Sequence, residues 1–283
     1  MRPVYATGKL FTSKEYPKME VRLIQATTYP LQTIAFSYLE CIEDRHLTSI
    51  DDISEKEAKK ITDWVLKGGH TPSLEAIHLT FNIRGISRVL SHQLVRHRIG
   101  VSIDQRTQRA NAEEYCGKFY HNNHFILPKS VKLFNVGNQV QCRDFETAMK
   151  IIEHLYNNMV NAGVPQDEAR YILPQMCETS MNFKVIYKAF QHIASVRLCH
   201  LMQGEMVECV RLMYEALADW CPELAEYCKP TCCVTGICNR NENNPTVEFP
   251  LGVCEFTKSG QVRPRSADTT FNLTKYSKDN AGK

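Results

Sequence analysis

Between Arg84 and Arg109 the chain carries six arginines, at 84, 88, 96, 98, 106 and 109, with no lysine, no glutamate and a single acid, Asp104. The chain as a whole is close to neutral, with 34 basic and 31 acidic residues and a formal charge of +3. A local run of this sign therefore calls for a negative partner. Because every cation is arginine, the run favours planar, two-pronged grips on phosphate or carboxylate over loose steering. Arg88, His92 and Arg96 are spaced by four and would share one helix face. Ser102, Gln105 and Thr107 add uncharged hydrogen-bonding groups beside the cations. A solvated basic face, or arginines paired to acids elsewhere, is the plainer reading. A nucleic-acid strip is a third, but the chain lacks the overall basicity for it and few aromatics interleave the arginines. The composition of the window favours a nucleotide pocket.

A second group of reactive residues is the cysteines, twelve in all, of which Cys221, Cys228, Cys232, Cys233, Cys238 and Cys254 fall near the C-terminus. Cys232-Cys233 and Cys238, with Gly236 between them, could ligate zinc as thiolates if Cys221, Cys228 or Cys254 completed the set. The spacing is not a pair of Cys-x-x-Cys knuckles, and free thiols in a short capping segment are the preferred reading, with no metal assigned. The remaining cysteines read as small buried hydrophobes.

The elements that must position the arginines follow from periodicity. Residues 20–29 read as a strand closed by Pro30, and 31–43 as a helix. Asp51 to Glu57 is a helix start whose apolar face continues through Ala58, Ile61, Val65 and Leu66 to Gly68-Gly69. Leu74 to Ile83 reads as a strand ended by Arg84-Gly85. Ile86, Val89, Leu90 and Leu94 mark a helix running into Arg96-His97-Arg98. Gly100 to Arg109 reads as a loop, and Phe125 to Pro128 as a short strand end. Phe145 to Met159 and Asp167 to Leu173 read as helices, the second stopped by Pro174. From Asn182 to about Trp220 the pattern is helical, as one long helix or two. Helices and strands mix without regular alternation, which predicts an α+β fold. Residues 1–225 form the expected catalytic domain, and 226–283 a Cys-containing, partly irregular extension.

A chain of 283 residues with 43% hydrophobic and 23% charged residues is ordinary globular protein. No apolar run of signal-peptide length follows Met1, and nowhere are there enough consecutive apolar residues to span a membrane. The expectation is a cytoplasmic chain with reduced thiols and no membrane partner.

Four blocks then carry a resemblance. Gln93 to Arg109 contains Arg96-His97-Arg98, a short spacer, and Thr107 and Arg109. His70-Thr71-Pro72-Ser73-Leu74-Glu75 lies ahead of it. Asp167-Glu168-Ala169-Arg170-Tyr171-Ile172-Leu173-Pro174 and the set His192, Arg197, Gln203, Glu205 follow. In order and spacing these resemble the signature blocks of flavin-dependent thymidylate synthases, over roughly residues 20–225. The departures suggest a divergent member. Thr107 replaces a serine, Gln105 an acid, Ala110 an aromatic and Gly204 a tryptophan. Arg106 is unusual at its position, and Ile186-Tyr187-Lys188 stands where the family has Asn-x-Arg.

The resemblance implies helices around a central, mainly antiparallel sheet, and a homotetramer with sites at subunit interfaces. It implies FAD as cofactor, NADPH as reductant and methylenetetrahydrofolate as one-carbon donor, with dUMP converted to dTMP. By the same resemblance His70, Glu75, Arg96, His97, Arg98 and His192 would meet the flavin. Gln93, Gln105, Thr107, Arg109 and Arg170 would hold the nucleotide, and Arg197 would polarise the uracil. Taken singly, His70 and His192 read equally as satisfied core or surface histidines, and Glu75 as a solvent-facing strand residue. Arg197 lies at helical spacing from Ile193 and Leu201 on an apolar stripe, so an acid or a ligand must face it. Two alternatives stand beside dUMP methylation: hydroxymethylation or methylation of another pyrimidine nucleotide, and a non-catalytic nucleotide- or RNA-binding module.

Overall fold

The computed structural model describes residues 5–68, 70–109, 120, 122–127, 139–199 and 202–235. At its centre is a five-stranded sheet in the order β1-β2-β3-β5-β4, every pairing antiparallel. The strands are β1 (Phe11–Thr12), β2 (Glu20–Ala26), β3 (His78–Ser87), β4 (Val101–Gln105) and β5 (Glu178–Ile186). The expected α+β architecture with an antiparallel sheet is what the chain forms.

One face of the sheet is apolar and covered. Leu23, Phe81, Phe183 and Ile103 form a row across four strands, and Val21, Ile83 and Met181 form the next. Strand alternation sends these side chains to one face and their neighbours to the other. Two helices pack on the apolar side, α6 (Tyr187–Arg197) and α7 (Gly204–Trp220). Phe190 of α6 lies 5.4 Å from Phe81, ring centre to ring centre. Met206, Cys209, Val210, Met213 and Leu217 of α7 are all fully buried in the same core. Full burial of each such side chain contributes about 1.5–3 kcal/mol. The opposite face is polar: Asn82 and Asn182 lie side by side in register, with Nδ2 of Asn82 donating to Oδ1 of Asn182 at 2.8 Å.

The remaining helices flank this layer. α1 (Pro30–Ile42) and α2 (Glu55–Leu66) pack together around Ala35, Leu39, Ile53 and Ala58. α3 is Arg88–Leu94, α4 is Gln139–Asn161, α5 is Gln166–Ala169, α8 is Pro222–Ala225 and α9 is Thr231–Thr235. Met149, Tyr156, Ala169 and Cys177 form a separate small core under α4 and α5.

Several boundaries differ from the sequence reading. Leu74 and Glu75 belong to a 3-10 turn, Thr71–Ala76, and the strand begins at His78. Arg84-Gly85 does not end that strand; it bulges, and pairing resumes at Ile86. The helix beyond it is only Arg88–Leu94, so Arg96 lies past its end rather than on one face with Arg88 and His92. The Gly100–Arg109 loop contains an edge strand, β4, because Val101, Ile103 and Gln105 alternate inward between outward Ser102 and Asp104. The arginine content masked that alternation. The helical reading from Asn182 is overturned: β5 runs to Ile186, and helix starts at Tyr187. Met181, Phe183 and Val185 also fit a period of two, and a central strand with partners on both sides wins that ambiguity. Pro128, Ala110, Gly236, Cys238, Cys254 and the tail from Lys258 lie outside the described residues.

Candidate active site

The window of arginines is held by α3, and α3 is held at both ends. Ser87 is its N-cap, its hydroxyl accepting from the backbone N–H of Leu90 at 3.0 Å. The next two N–H groups, of Arg88 and Val89, donate to the carbonyls of Cys177 and Gln175. Glu205, near the start of α7 and only 3% exposed, accepts from the Ser87 N–H at 2.7 Å and from its hydroxyl at 2.6 Å. Burial raises the pKa of the Glu205 carboxyl, and the two donations from Ser87 oppose that rise. Burial, with Glu205 next in effect, pushes the Tyr16 hydroxyl up to about 12. At the other end of α3, Nε2 of Gln93 donates to Oε1 of Gln203 at 2.7 Å. Neither Gln203 nor Ser87 stood among the expected site residues. A serine directly ahead of a helix and a glutamate in the first turn of α7 are the signals that point to this clamp.

Past α3 the chain turns through Arg96, His97 and Arg98. Arg96 and Arg98 are exposed, and Ile99 between them and the sheet is 89% exposed. Gly100 reverses the chain at a φ of +66°, and a Cβ there would sit 2.5 Å from Cγ1 of Ile186. His97 faces the C-terminal end of α6, where Nε of Arg197 donates to its Nε2 at 3.1 Å. An imidazole nitrogen that accepts must be unprotonated, which places the proton of the neutral ring on Nδ1. The pKa of His97 is lowered, first by burial and then by the nearby charges of Arg197 and His192. Arg197 also reaches the sulfur of Met202 at 3.6 Å. Among the described residues no carboxylate pairs with Arg197, so its charge stays available in a half-buried position.

A second group lies at the far end of β4. The Thr107 hydroxyl accepts from the Arg109 N–H at 3.1 Å. Nε of Arg109 pairs with Asp167 at 3.0 Å, and Nε of Arg170 donates to the Asp167 carbonyl at 3.0 Å. Gln105, on the edge strand, points inward and donates from Nε2 to the hydroxyls of Ser91 at 2.9 Å and Thr179 at 3.4 Å, tying β4 to α3. Arg88 reaches the carbonyl of Arg106 at 3.0 Å. β4, four residue steps or about 13 Å long, runs between the Arg96–Arg98 turn and this group. A third group sits on α2, α6 and the 3-10 turn. His70 Nδ1 is 3.1 Å from the Ser73 hydroxyl, and Glu75 pairs with Lys188 at 2.8 Å. The His70 ring lies 6.2 Å from that of Tyr38, which stacks at a tilt on Trp64. His192 is exposed on α6.

The cysteines take no part in these groups. Cys41, Cys177, Cys199, Cys209, Cys221, Cys228, Cys232 and Cys233 are free thiols. Burial pushes the Cys221, Cys228 and Cys177 thiols up to about 12, which makes them inert. Among the described residues no three His, Cys, Asp or Glu side chains gather as a metal site. No helix among them is long and apolar enough to cross a membrane.

Comparison with known proteins shows the family and the fold. Residues 22–223 match the family model described as thymidylate synthase complementing protein. The flavin-dependent thymidylate synthase of Pyrococcus furiosus is 32% identical over 238 residues, covering 80% of this chain and 92% of that one. That of Geobacter sulfurreducens is 32% identical over 224 residues, covering 78% and 90%. Among solved structures, the fold resembles ThyX of Helicobacter pylori complexed with FAD and dUMP. The TM-score is 0.59 at 20% identity, covering 74% of this chain and 99% of that one. It also resembles the UMP/dUMP methylase PolB of Streptomyces cacaoi bound with 5-Br dUMP, with a TM-score of 0.56 at 17% identity, covering 74% and 93%. With the family model spanning most of the chain and these relatives matched along nearly their whole length, the chain belongs, as an enzyme, to the thymidylate synthase complementing protein family.

Proposed function

We propose that this chain transfers a one-carbon unit to C5 of dUMP, giving dTMP, with FAD as cofactor, methylenetetrahydrofolate as donor and NADPH as reductant. The observation that carries the reading is Arg197: a half-buried guanidinium whose described partners are a neutral imidazole and a thioether, not an acid. A fixed cation in a water-poor site stabilises negative charge that develops on a ring only as the reaction proceeds. The Arg197 charge would act on the uracil in this way, and the hydrogen bond to His97 holds its Nε in place.

The residues present fit FAD. The exposed cations Arg96 and Arg98 suit a diphosphate, neutral His97 and the His70 ring suit contact with a flat heterocycle, and Ile99 offers apolar cover. Arg96, His97, Arg98, His70, Glu75 and His192 would hold it. When bound, the flavin supplies the redox chemistry that no side chain here can. The chain orients nucleotide and donor against it, and Gln93, Thr107, Arg109 and Arg170 would bind the nucleotide's phosphate and sugar. Arg109 now rests on Asp167, an exposed pair that a phosphate can displace at little cost.

The residues proposed for binding fall into separate groups along this chain: Arg96 and His97, with Arg197 bonded to His97, before β4 begins, and Thr107 and Arg109, with Asp167 and Arg170, beyond its end. That separation supports a homotetramer in which one subunit's Arg197 end meets another's Arg109 end. The function is tested by incubating purified protein with dUMP, methylenetetrahydrofolate, NADPH and FAD and weighing the product. A gain of one CH2 is expected. A gain of CH2O points instead to hydroxymethylation, and unchanged dUMP defeats both.

A further inference from the structure

Where β3 passes Gly85 its pairing slips: Ile83 opposes Met181 and Ile86 opposes Thr179, so Arg84 and Gly85 together face Ser180. Two residues against one make a bulge, which bends a strand and re-aims its side chains. The bulge is built in. Gly85 has a φ of +65°, and a Cβ there would overlap the backbone carbonyl of Lys18.

Beside the bulge, on the polar face of the sheet, is a cavity of about 430 Å³ lined by Arg84, Arg106, His124, Glu178 and Ser180 among others. Two arginines line it, Arg84 from β3 and Arg106 from the residue just past β4. Arg84 is exposed, and no acid pairs with it among the described residues. The backbone that carries Arg106 is fixed on both sides: its N–H donates to the Ser180 carbonyl at 2.9 Å and its carbonyl accepts from Arg88. The single acid among the lining residues, Glu178, is already matched by Lys18 at 2.9 Å. Lys18 also donates to the carbonyls of Asn123 and Phe125, which closes the wall that carries His124. Two arginines and a hydroxyl, with one acid among the lining residues, make a donor-rich pocket. Its two arginines are distinct from the cations given above to flavin or nucleotide.

We propose that this cavity is an oxyanion subsite in which Arg84, Arg106 and the Ser180 hydroxyl hold a phosphate group. Arg106 directly precedes Thr107, so the subsite adjoins the group assigned to the nucleotide's own phosphate. The naming of dUMP in the test rests on the proposed function; the anion site itself does not. Two sources fit the chemistry: the distal phosphate of a pyrimidine nucleotide carrying more than one, or a separate phosphorylated molecule.

The test is calorimetric titration of the full chain with pyrophosphate at low salt, with and without saturating dUMP, in wild type, Arg84→Gln and Arg106→Gln. Saturable binding that persists under dUMP is expected, and each variant should weaken it about tenfold or more, the loss of one charge-assisted contact. Arg84→Gln should leave dUMP affinity unchanged. Displacement of pyrophosphate by dUTP but not dUMP supports a distal nucleotide phosphate; displacement by neither supports a separate ligand. No saturable binding, full displacement by dUMP, or equal affinity in Arg84→Gln overturns the subsite. If dUMP does not bind while pyrophosphate binding still depends on Arg84, the proposed function fails and the subsite stands.

Discussion

Nε of Arg197, on the last turn of α6, donates to Nε2 of His97 at 3.1 Å, so a guanidinium is held by an imidazole that must be neutral to accept it. The contact joins two blocks a hundred residues apart in sequence. It also couples the protonation of one residue to the position of the other.

The pKa of His97 lies below the ordinary 6.5, with burial the larger cause and the Arg197 charge the next. The folded state therefore binds this proton less readily than the unfolded chain. Stability from His97 is complete above 6.5 and falls as pH drops through 6.5 toward the folded value. Arg197→Met should raise the His97 pKa toward 6.5, read from the imidazole signals in an NMR titration. A pKa that stays put would mean that burial and His192 set it without Arg197. The same variant should bind FAD normally and turn over no dUMP. Near-normal turnover would remove Arg197 from the chemistry.

Glu205 accepts both hydrogen bonds that Ser87 can offer in a buried place. Glu205→Ala leaves a buried N–H and hydroxyl without their acceptor and should cost roughly 2–4 kcal/mol in urea denaturation. Glu205→Gln keeps an acceptor and should cost less. Burial raises the pKa of this carboxyl, so its ionisation opposes folding as pH rises from 4.5 through the raised value. The gap between Gln variant and wild type should therefore narrow at higher pH. A gap that widens would contradict the assignment.

Gly85 sits at a φ of +65° with the Lys18 carbonyl where a side chain would begin. Gly85→Ala combines a disfavoured backbone with a steric clash against main chain. A loss of about 3 kcal/mol or more is expected. Gly163→Ala serves as the contrast, since its φ is +83° but nothing lies near its would-be Cβ. It should cost only about 1–2 kcal/mol, the backbone part alone. Equal losses at the two positions would show that the clash at Lys18 relaxes.

If each site takes Arg197 from one subunit and Arg109 from another, two inactive variants can repair each other. Arg197→Ala and Arg109→Ala, unfolded together and refolded, should give activity well above either alone. The mixture forms some sites in which both residues are intact. Size measurement in solution should find a tetramer for each parent. No recovery from mixed tetramers would place both residues in the same copy of the site.

The sequence by itself determined the chemistry-bearing segments and most of the elements. The strand over β2, the helices α1 and α2, and the segments of α4, α6 and α7 are legible because their apolar spacing is set by local geometry that no distant contact has to confirm. The arginine excess between Arg84 and Arg109 is equally local. Tertiary structure decided what the pattern leaves degenerate. Met181, Phe183 and Val185 alternate as a strand does but run straight into the helical spacing of Ile186, Phe190 and Ile193, and ladders on both sides decide where strand gives way to helix. Val101 to Gln105 becomes strand because β5 offers it an edge. That Gln105 donates to Ser91 and Thr179 is equally a matter of packing. That His97 faces Arg197 and that Glu205 braces the Ser87 cap of α3 both depend on chain crossings. Hydrogen bonds between residues far apart in sequence are fixed by packing, and packing is not written in any local spacing.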